Sequence, residues 1–190
     1  FSADMYIGAV DGGTATTDDA VMSGYSFQID LNTTFTGEDS LDISMDAGNA
    51  GSAGIAEFDG NNTTSEALTV DGVSYTFPIG AKTTAFVGDN TDGSLLFNTA
   101  CVYGGPSNTL DDCGNNYSAI NAGGGTAFGA SYDFGNGFTL GLGYTGEGGA
   151  DGLMTNEGDD AYATQLAYTA DNYGISFTYA DKENPTFTQT

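Results

Sequence analysis

The chain has 190 residues, with 30 Gly, 12 Phe and 11 Tyr, no Trp and no His, and only Lys82 and Lys182 to set against 26 acidic side chains, so its net charge is −24. Such a balance excludes a phosphate backbone as partner, because nucleic acid must be neutralised by Lys and Arg, and it excludes docking on anionic lipid through a basic patch. Apolar residues still make up 39 % of the chain, and their order along it argues against disorder.

The first ten residues, FSADMYIGAV, read as the interior of a strand and have neither the charged start nor the apolar run of a signal peptide. Residues 21–35 contain YSFQIDLNTTF, which sets Tyr25, Phe27, Ile29, Leu31 and Phe35 on one face and Gln28, Asp30 and Asn32 on the other. Eleven such residues tilted near 45° rise roughly 25 Å, the height of the apolar band of an outer-membrane barrel. After the turn at 36–40, residues 41–47 place Leu41, Ile43, Met45 and Ala47 opposite Asp42, Ser44 and Asp46. A long polar stretch then leads to 68–79, where Val73, Tyr75, Phe77 and Ile79 alternate with Ser74 and Thr76, and on through a turn at 80–82 to a brief strand at 83–88.

The longest irregular stretch covers 89–125 and is expected to fold partly into the mouth of any barrel. A hairpin follows, with strands at 126–134 and 138–144. Phe128, Ala130, Tyr132, Phe134, Phe138, Leu140, Leu142 and Tyr144 share its oily side, and Ser131 and Asp133 take the other. Beyond a further polar loop lie strands at 161–169 and 173–179.

Short connections thus alternate with long ones, and Phe35, Phe77, Phe134, Phe138, Tyr168 and Tyr173 all lie beside the short ones. This pattern predicts an all-β fold over residues 1–190: a transmembrane antiparallel barrel wall of about nine strands in an up-and-down meander, with short periplasmic turns and long extracellular loops. Membrane lipid would cover Tyr25, Phe27, Ile29, Leu31, Phe35, Phe134, Phe138, Leu140 and Leu142. A water-filled lumen would be lined by Gln28, Asp30, Asn32, Asp42, Ser44, Asp46, Ser74, Thr76, Ser131 and Asp133. Carboxylates on that wall, with no arginine in the chain, predict a preference for cations. Two other classes share the alternation: a secreted, calcium-stabilised β-sandwich for adhesion or surface-layer assembly, and a small closed structural barrel.

Candidate chemistry is sparse. Cys101 and Cys113, twelve apart in the longest loop, are expected to form a disulfide that would stabilise it by about 3 kcal/mol, with buried free thiols as the alternative. Asp89, Asp92, Asp159 and Asp160 offer hard oxygen ligands for calcium, but none sits in the twelve-residue helix-flanked loop, and solvated loop charge accounts for them without a cofactor. With no His as base, no Arg as anion clamp and no glycine loop between strand and helix, an enzyme is not expected.

LNTTFTGEDSLDISMDAGNAG at 31–51 resembles the strand, turn, strand segment of cyanobacterial outer-membrane porins, a branch of the carbohydrate-selective (OprB-type) porins, and VDGVSYTFPIGAKTTAFVG at 70–88 is similar to a second segment. AFGASYDFGNGFTLGLGYTG and ATQLAYTADNYGISFTYA resemble later hairpins of that family. The resemblance implies a bacterial outer-membrane channel of sixteen strands, of which this chain would be a fragment, assembled as a homotrimer and passing small hydrophilic solutes and inorganic ions. It further implies a secretion signal and an S-layer-homology domain outside this stretch, the latter holding a cell-wall polymer. Where the family carries basic residues along the strand corresponding to 70–79, this chain has Gly72 and Thr76.

Overall fold

A computed structural model describes residues 1–8, 21–49, 66–98, 125–146, 152–155 and 158–183. All regular structure among them is β. The strands are β1 (Ser2–Gly8), β2 (Met22–Thr33), β3 (Ser40–Gly48), β4 (Thr69–Ile79), β5 (Thr83–Thr91), β6 (Gly125–Gly135), β7 (Phe138–Gly146), β8 (Asp160–Thr169) and β9 (Gly174–Lys182). They form one antiparallel sheet whose strand order is the chain order. Eight of these nine are 9 to 12 residues long, which bears on function because about 9 to 11 tilted residues cross a hydrocarbon layer. No helix among the described residues is long and apolar enough to cross a membrane. Connections at 34–39, 80–82, 136–137 and 170–173 alternate with those at 9–21, 49–68, 92–124 and 147–159.

Strand ends differ from the sequence expectation where local hydrogen bonds compete with the ladder. β2 stops at Thr33, so Phe35 lies in the turn, 71 % exposed, rather than on a strand face. The cause is Asp39. Its carboxylate accepts from the hydroxyls of Thr34 (2.6 Å) and Thr36 (2.7 Å), from the amides of Phe35 (3.1 Å) and Thr36 (2.8 Å), and from the Tyr75 phenol (2.6 Å). β5 runs on to Thr91 through a bulge between Gly88 and Thr91, where Asn90 adopts φ 50°, and β7 and β9 extend to Gly146 and Lys182. At the β6–β7 turn Gly135, Asn136 and Gly137 take φ 86°, 55° and 86°, left-handed values that glycine and asparagine accept at least strain.

The hydrogen bonds from Thr34, then Tyr75 and Thr36, hold the Asp39 carboxyl far below the usual carboxylate range. A depressed folded-state value gives stability that is complete above the unfolded value near 4 and is lost as pH falls from there through the folded value. Asp39→Asn, unable to accept all these donors, is therefore expected to lower the denaturant midpoint by a constant amount above pH of about 5. Below pH of about 4 the gap to the parent should narrow. Paired unfolding titrations from pH 3 to 7 measure it; a gap independent of pH would remove Asp39 as its source.

The described residues fall into two compact units. The first takes those within Phe1–Leu31 and Ile43–Asp71, the second those within Asn32–Asp42, Gly72–Cys101 and Cys113–Thr190. In the first, β1 pairs with β2 so that Ala3 lies opposite Phe27 and Met5 opposite Tyr25, and the Phe1 and Phe27 rings are 6.5 Å apart.

In the second unit the ladders align two rows on the apolar face. One runs Val87, Phe128, Tyr144, Tyr162 and Asp181; the next runs Phe77, Ala85, Ala130, Leu142, Thr164 and Tyr179. Aromatic contacts gather at both ends of the strands. Phe128 and Tyr144 stack at 4.6 Å and Tyr162 lies tilted 5.2 Å from Tyr144 near the long connections, and Phe138, Tyr168 and Tyr173 lie in tilted contact at 4.7 and 5.9 Å near the short ones.

Candidate functional site

Burial in the second unit is inverted relative to a water-soluble sheet. Leu142, Leu166 and Phe177 on the apolar face are 53, 50 and 72 % exposed, whereas Gln165 and Thr145 on the opposite face are 2 and 3 % exposed. Tyr25, Leu31, Phe134 and Phe138 are likewise exposed, and Phe27, Ile29 and Leu140 half-buried. An apolar surface of this extent calls for a non-aqueous neighbour.

What covers the polar face is the chain itself. Beyond Thr91, residues 92–98 make two successive turns, Leu95 N to Asp92 O (3.1 Å) and Phe97 N to Ser94 O (2.8 Å), and lie across β7 and β8 as a strap. Three hydrogen bonds pin it: Gly93 N to Thr145 Oγ1, Asn98 N to Gln165 Oε1 and Asn98 Nδ2 to Thr139 Oγ1, each 2.7 Å. The Phe97 ring, 9 % exposed, packs on Ala161, Ala163 and Ala180.

This close approach depends on glycine. A Cβ at Gly141 would lie 2.6 Å from Phe97 Cδ1, and one at Gly143 would overlap the Gly93 carbonyl oxygen. Sequence reasoning expected the long loop to turn inward but did not see Phe86 and Phe97 buried on the polar side. Its available signal was the run TLGLGY, which places glycines alternately on one face, where another backbone can approach. Gly129 serves Phe86 in the same way.

The predicted polar-face residues of β2 and β3 come together as hydrogen-bonded ladders. In the first unit the Gln28 amide donates to Asp30 (2.6 Å) and Ser44 (2.8 Å), Ser44 donates to Asp30 (3.0 Å), and Thr69 donates to Asp46 (3.1 Å). Asp71, which sequence reasoning passed over, stands within electrostatic reach of Asp46 and Asp30. In the second unit Asn32 donates to Ser40 (2.7 Å) and to Asp42, and Ser40 donates to Asp42 (2.6 Å). Ser74 and Thr76 stand opposite Gly88 and Phe86, and Ser131 opposite Thr84 and Gly141. Asp133 has a local task as well, since its carboxylate accepts from Gly135 N at 2.7 Å and caps the β6–β7 turn.

The four calcium candidates are engaged separately rather than gathered. Asp89 accepts from Thr126 (3.0 Å), Asp92 from the Ser94 amide (2.7 Å), and Asp159 pairs with Lys182 (3.6 Å). Asp160 corrects the expectation of solvated loop charge: it opens β8, is fully buried and accepts from the Tyr144 phenol, while one of its oxygens has no hydrogen-bond partner. Among the described residues no three His, Cys, Asp or Glu side chains are grouped to hold a metal. Cys101 and Cys113 lie outside the described residues.

No protein-family model, curated protein or solved structure matches the chain.

Proposed function

We propose that the chain forms barrel wall of a porin integral to a bacterial outer membrane, with a water-filled channel that passes small hydrophilic solutes and ions passively and favours cations. The observation that carries this reading is the inverted burial of the second unit. Leu142, Leu166, Phe138, Ile175, Phe177 and Tyr179 are left outward on strands of membrane-crossing length, while Gln165, Thr139, Thr145, Gly141 and Gly143 on the other face carry a strap of the same chain. A sandwich would set a second sheet on the apolar face, and among the described residues there is one sheet. Hydrocarbon is the neighbour that suits an apolar antiparallel face between two aromatic rows.

The strap gives the channel a narrow place. It projects from the wall on the polar side, held by neutral anchors and with its one carboxylate, Asp92, accepting from the Ser94 amide, so it limits size, while Asp30, Asp42 and Asp46 add to the sign of the field. Walls of one sign concentrate counter-ions. Of the two lysines, Lys182 is paired with Asp159, and Lys82 lies in the turn at 80–82, where its ammonium donates to the Phe134 carbonyl at 3.4 Å.

Reversal potentials of the reconstituted protein under a potassium chloride gradient test the proposal. Potassium should be preferred, and the preference should fade with salt because the Debye length shrinks from about 10 Å at 0.1 M to about 3 Å at 1 M. A chloride preference at low salt would overturn the selectivity, and the absence of any conductance the channel itself.

A further inference from the structure

The corner where β8 opens and β9 ends sets two carboxylates against each other. The two strands pair from Ala161 with Lys182 onward, and the Glu183 amide extends that ladder by one step, donating to the Asp160 carbonyl at 2.7 Å. Asp160 and Glu183 are therefore direct cross-strand partners, whose side chains leave the same face with Cβ atoms about 5 Å apart. Both stand within electrostatic reach of the Tyr162 phenol on that face. Like charges directly opposite each other destabilise a sheet unless something of the other sign lies between them. Of the chain's two lysines, Lys182 is paired with Asp159, and Lys82 lies in the turn at 80–82.

Asp160 is held as a ligand would be. It is fully buried, its Oδ1 accepts from the Tyr144 phenol on β7, and its Oδ2 has no hydrogen-bond partner. A carboxylate is flat, so Oδ2 is turned away from Tyr144, and Glu183 stands on the far side of β8 from that residue. The chain makes room for this arrangement, since a Cβ at Gly146 would overlap both the Tyr144 hydroxyl and Asp160 Oδ1. A buried carboxylate oxygen left bare is costly, and a bound ion is one of the few things that satisfies it. We propose that a hard divalent cation, calcium in the first place, bridges Asp160 Oδ2 and the Glu183 carboxylate. Such ions take oxygen ligands and fill their remaining positions with water, and calcium tolerates the irregular geometry of one fixed, buried ligand and one exposed ligand at a strand end. Two protein carboxylates make the site, in keeping with the finding that no three are grouped among the described residues. Asp181, opposite Tyr162 on the same face, adds to the field from a diagonal distance of about 7 to 8 Å. The ion ties the end of β9 to the start of β8. Because the Tyr144 hydroxyl also accepts from the Met154 amide at 3.1 Å, part of the connection at 147–159 is fixed at the same corner. The site does not depend on what covers the apolar face.

Terbium, which replaces calcium and emits when excited through a nearby tyrosine, is titrated into the full chain refolded in mild detergent, and calcium is then added to displace it. The chain has no Trp, so Tyr144 and Tyr162 are the antennae closest to the site. Emission should saturate and be reversed by calcium. Glu183→Gln, at an exposed position, should weaken calcium binding about tenfold or more, because affinity follows the number of charged ligands. Asp171→Asn removes the same charge from the exposed turn at the other end of β8 and β9 and should leave the affinity unchanged. Equal weakening by both substitutions would mean diffuse attraction to an acidic chain and overturns the site. Binding unaltered by Glu183→Gln, or emission that never saturates, overturns it as well, leaving a proton on Asp160 as the way the pair is neutralised.

Discussion

Leu142→Arg is expected to lower the stability of the bilayer-inserted protein by about 2 to 4 kcal/mol, the penalty of a cation on the lipid side near the midplane of a barrel wall. The same substitution on a sheet in water would change little, because an exposed position away from special features tolerates replacement within about 0.5 kcal/mol. Leu142 sits in the middle of the apolar row, 53 % exposed and flanked across the ladders by Ala130 and Thr164, so no packed core is disturbed by enlarging it. The two outcomes are well separated, and reversible unfolding from vesicles compared with the parent distinguishes them. A loss below about 0.5 kcal/mol would show that this face is not in hydrocarbon.

Gly143→Ala is expected to raise single-channel conductance and to cost about 1 to 3 kcal/mol, the range for overpacking a tight contact. The added methyl would occupy the place of the Gly93 carbonyl, and backbone cannot yield as the tip of a flexible side chain can, so the strap itself must lift. Asn98→Ala is the milder companion. It removes one anchor, to Thr139, worth about 1 kcal/mol, and leaves the backbone bond to Gln165. Both variants should widen the channel, Gly143→Ala more. Conductance equal to the parent in both, at normal insertion, would show that the strap does not bound the conducting path.

The sheet was legible in the sequence because a strand repeats every two residues and its neighbours need no knowledge of distant chain. YSFQIDLN, LDISMDA and FTLGLGY declare their two faces by alternation alone, and Gly135, Asn136 and Gly137 declare the turn between β6 and β7 by the backbone values they accept. The short turns leave β2 and β3, β4 and β5, β6 and β7, and β8 and β9 to pair with each other, and the pairing of these hairpins across the long connections completes the chain-order meander. Strand ends were less legible. Where β2 stops depends on Asp39 collecting donors from Thr34 through Thr36 and from Tyr75, a residue 36 positions away, and no periodicity carries that.

The polar face was legible as wet but not as occupied. Its ladders of Gln28, Asp30 and Ser44 are contacts between neighbouring strands and follow from register. The strap is a contact between a loop and strands 41 to 67 residues further on, fixed by Asn98 meeting Thr139 and Gln165 and by Phe97 finding the space above Gly141. Asp160 is the sharpest case: as sequence it is one acid among NEGDD, and only the approach of Tyr144 from β7 turns it from a solvated charge into a buried acceptor. Alternation is a local property of the backbone and is written in every strand. Which segment comes to rest on a finished face depends on space left by residues far apart in the chain, and that is decided only when the sheet has formed.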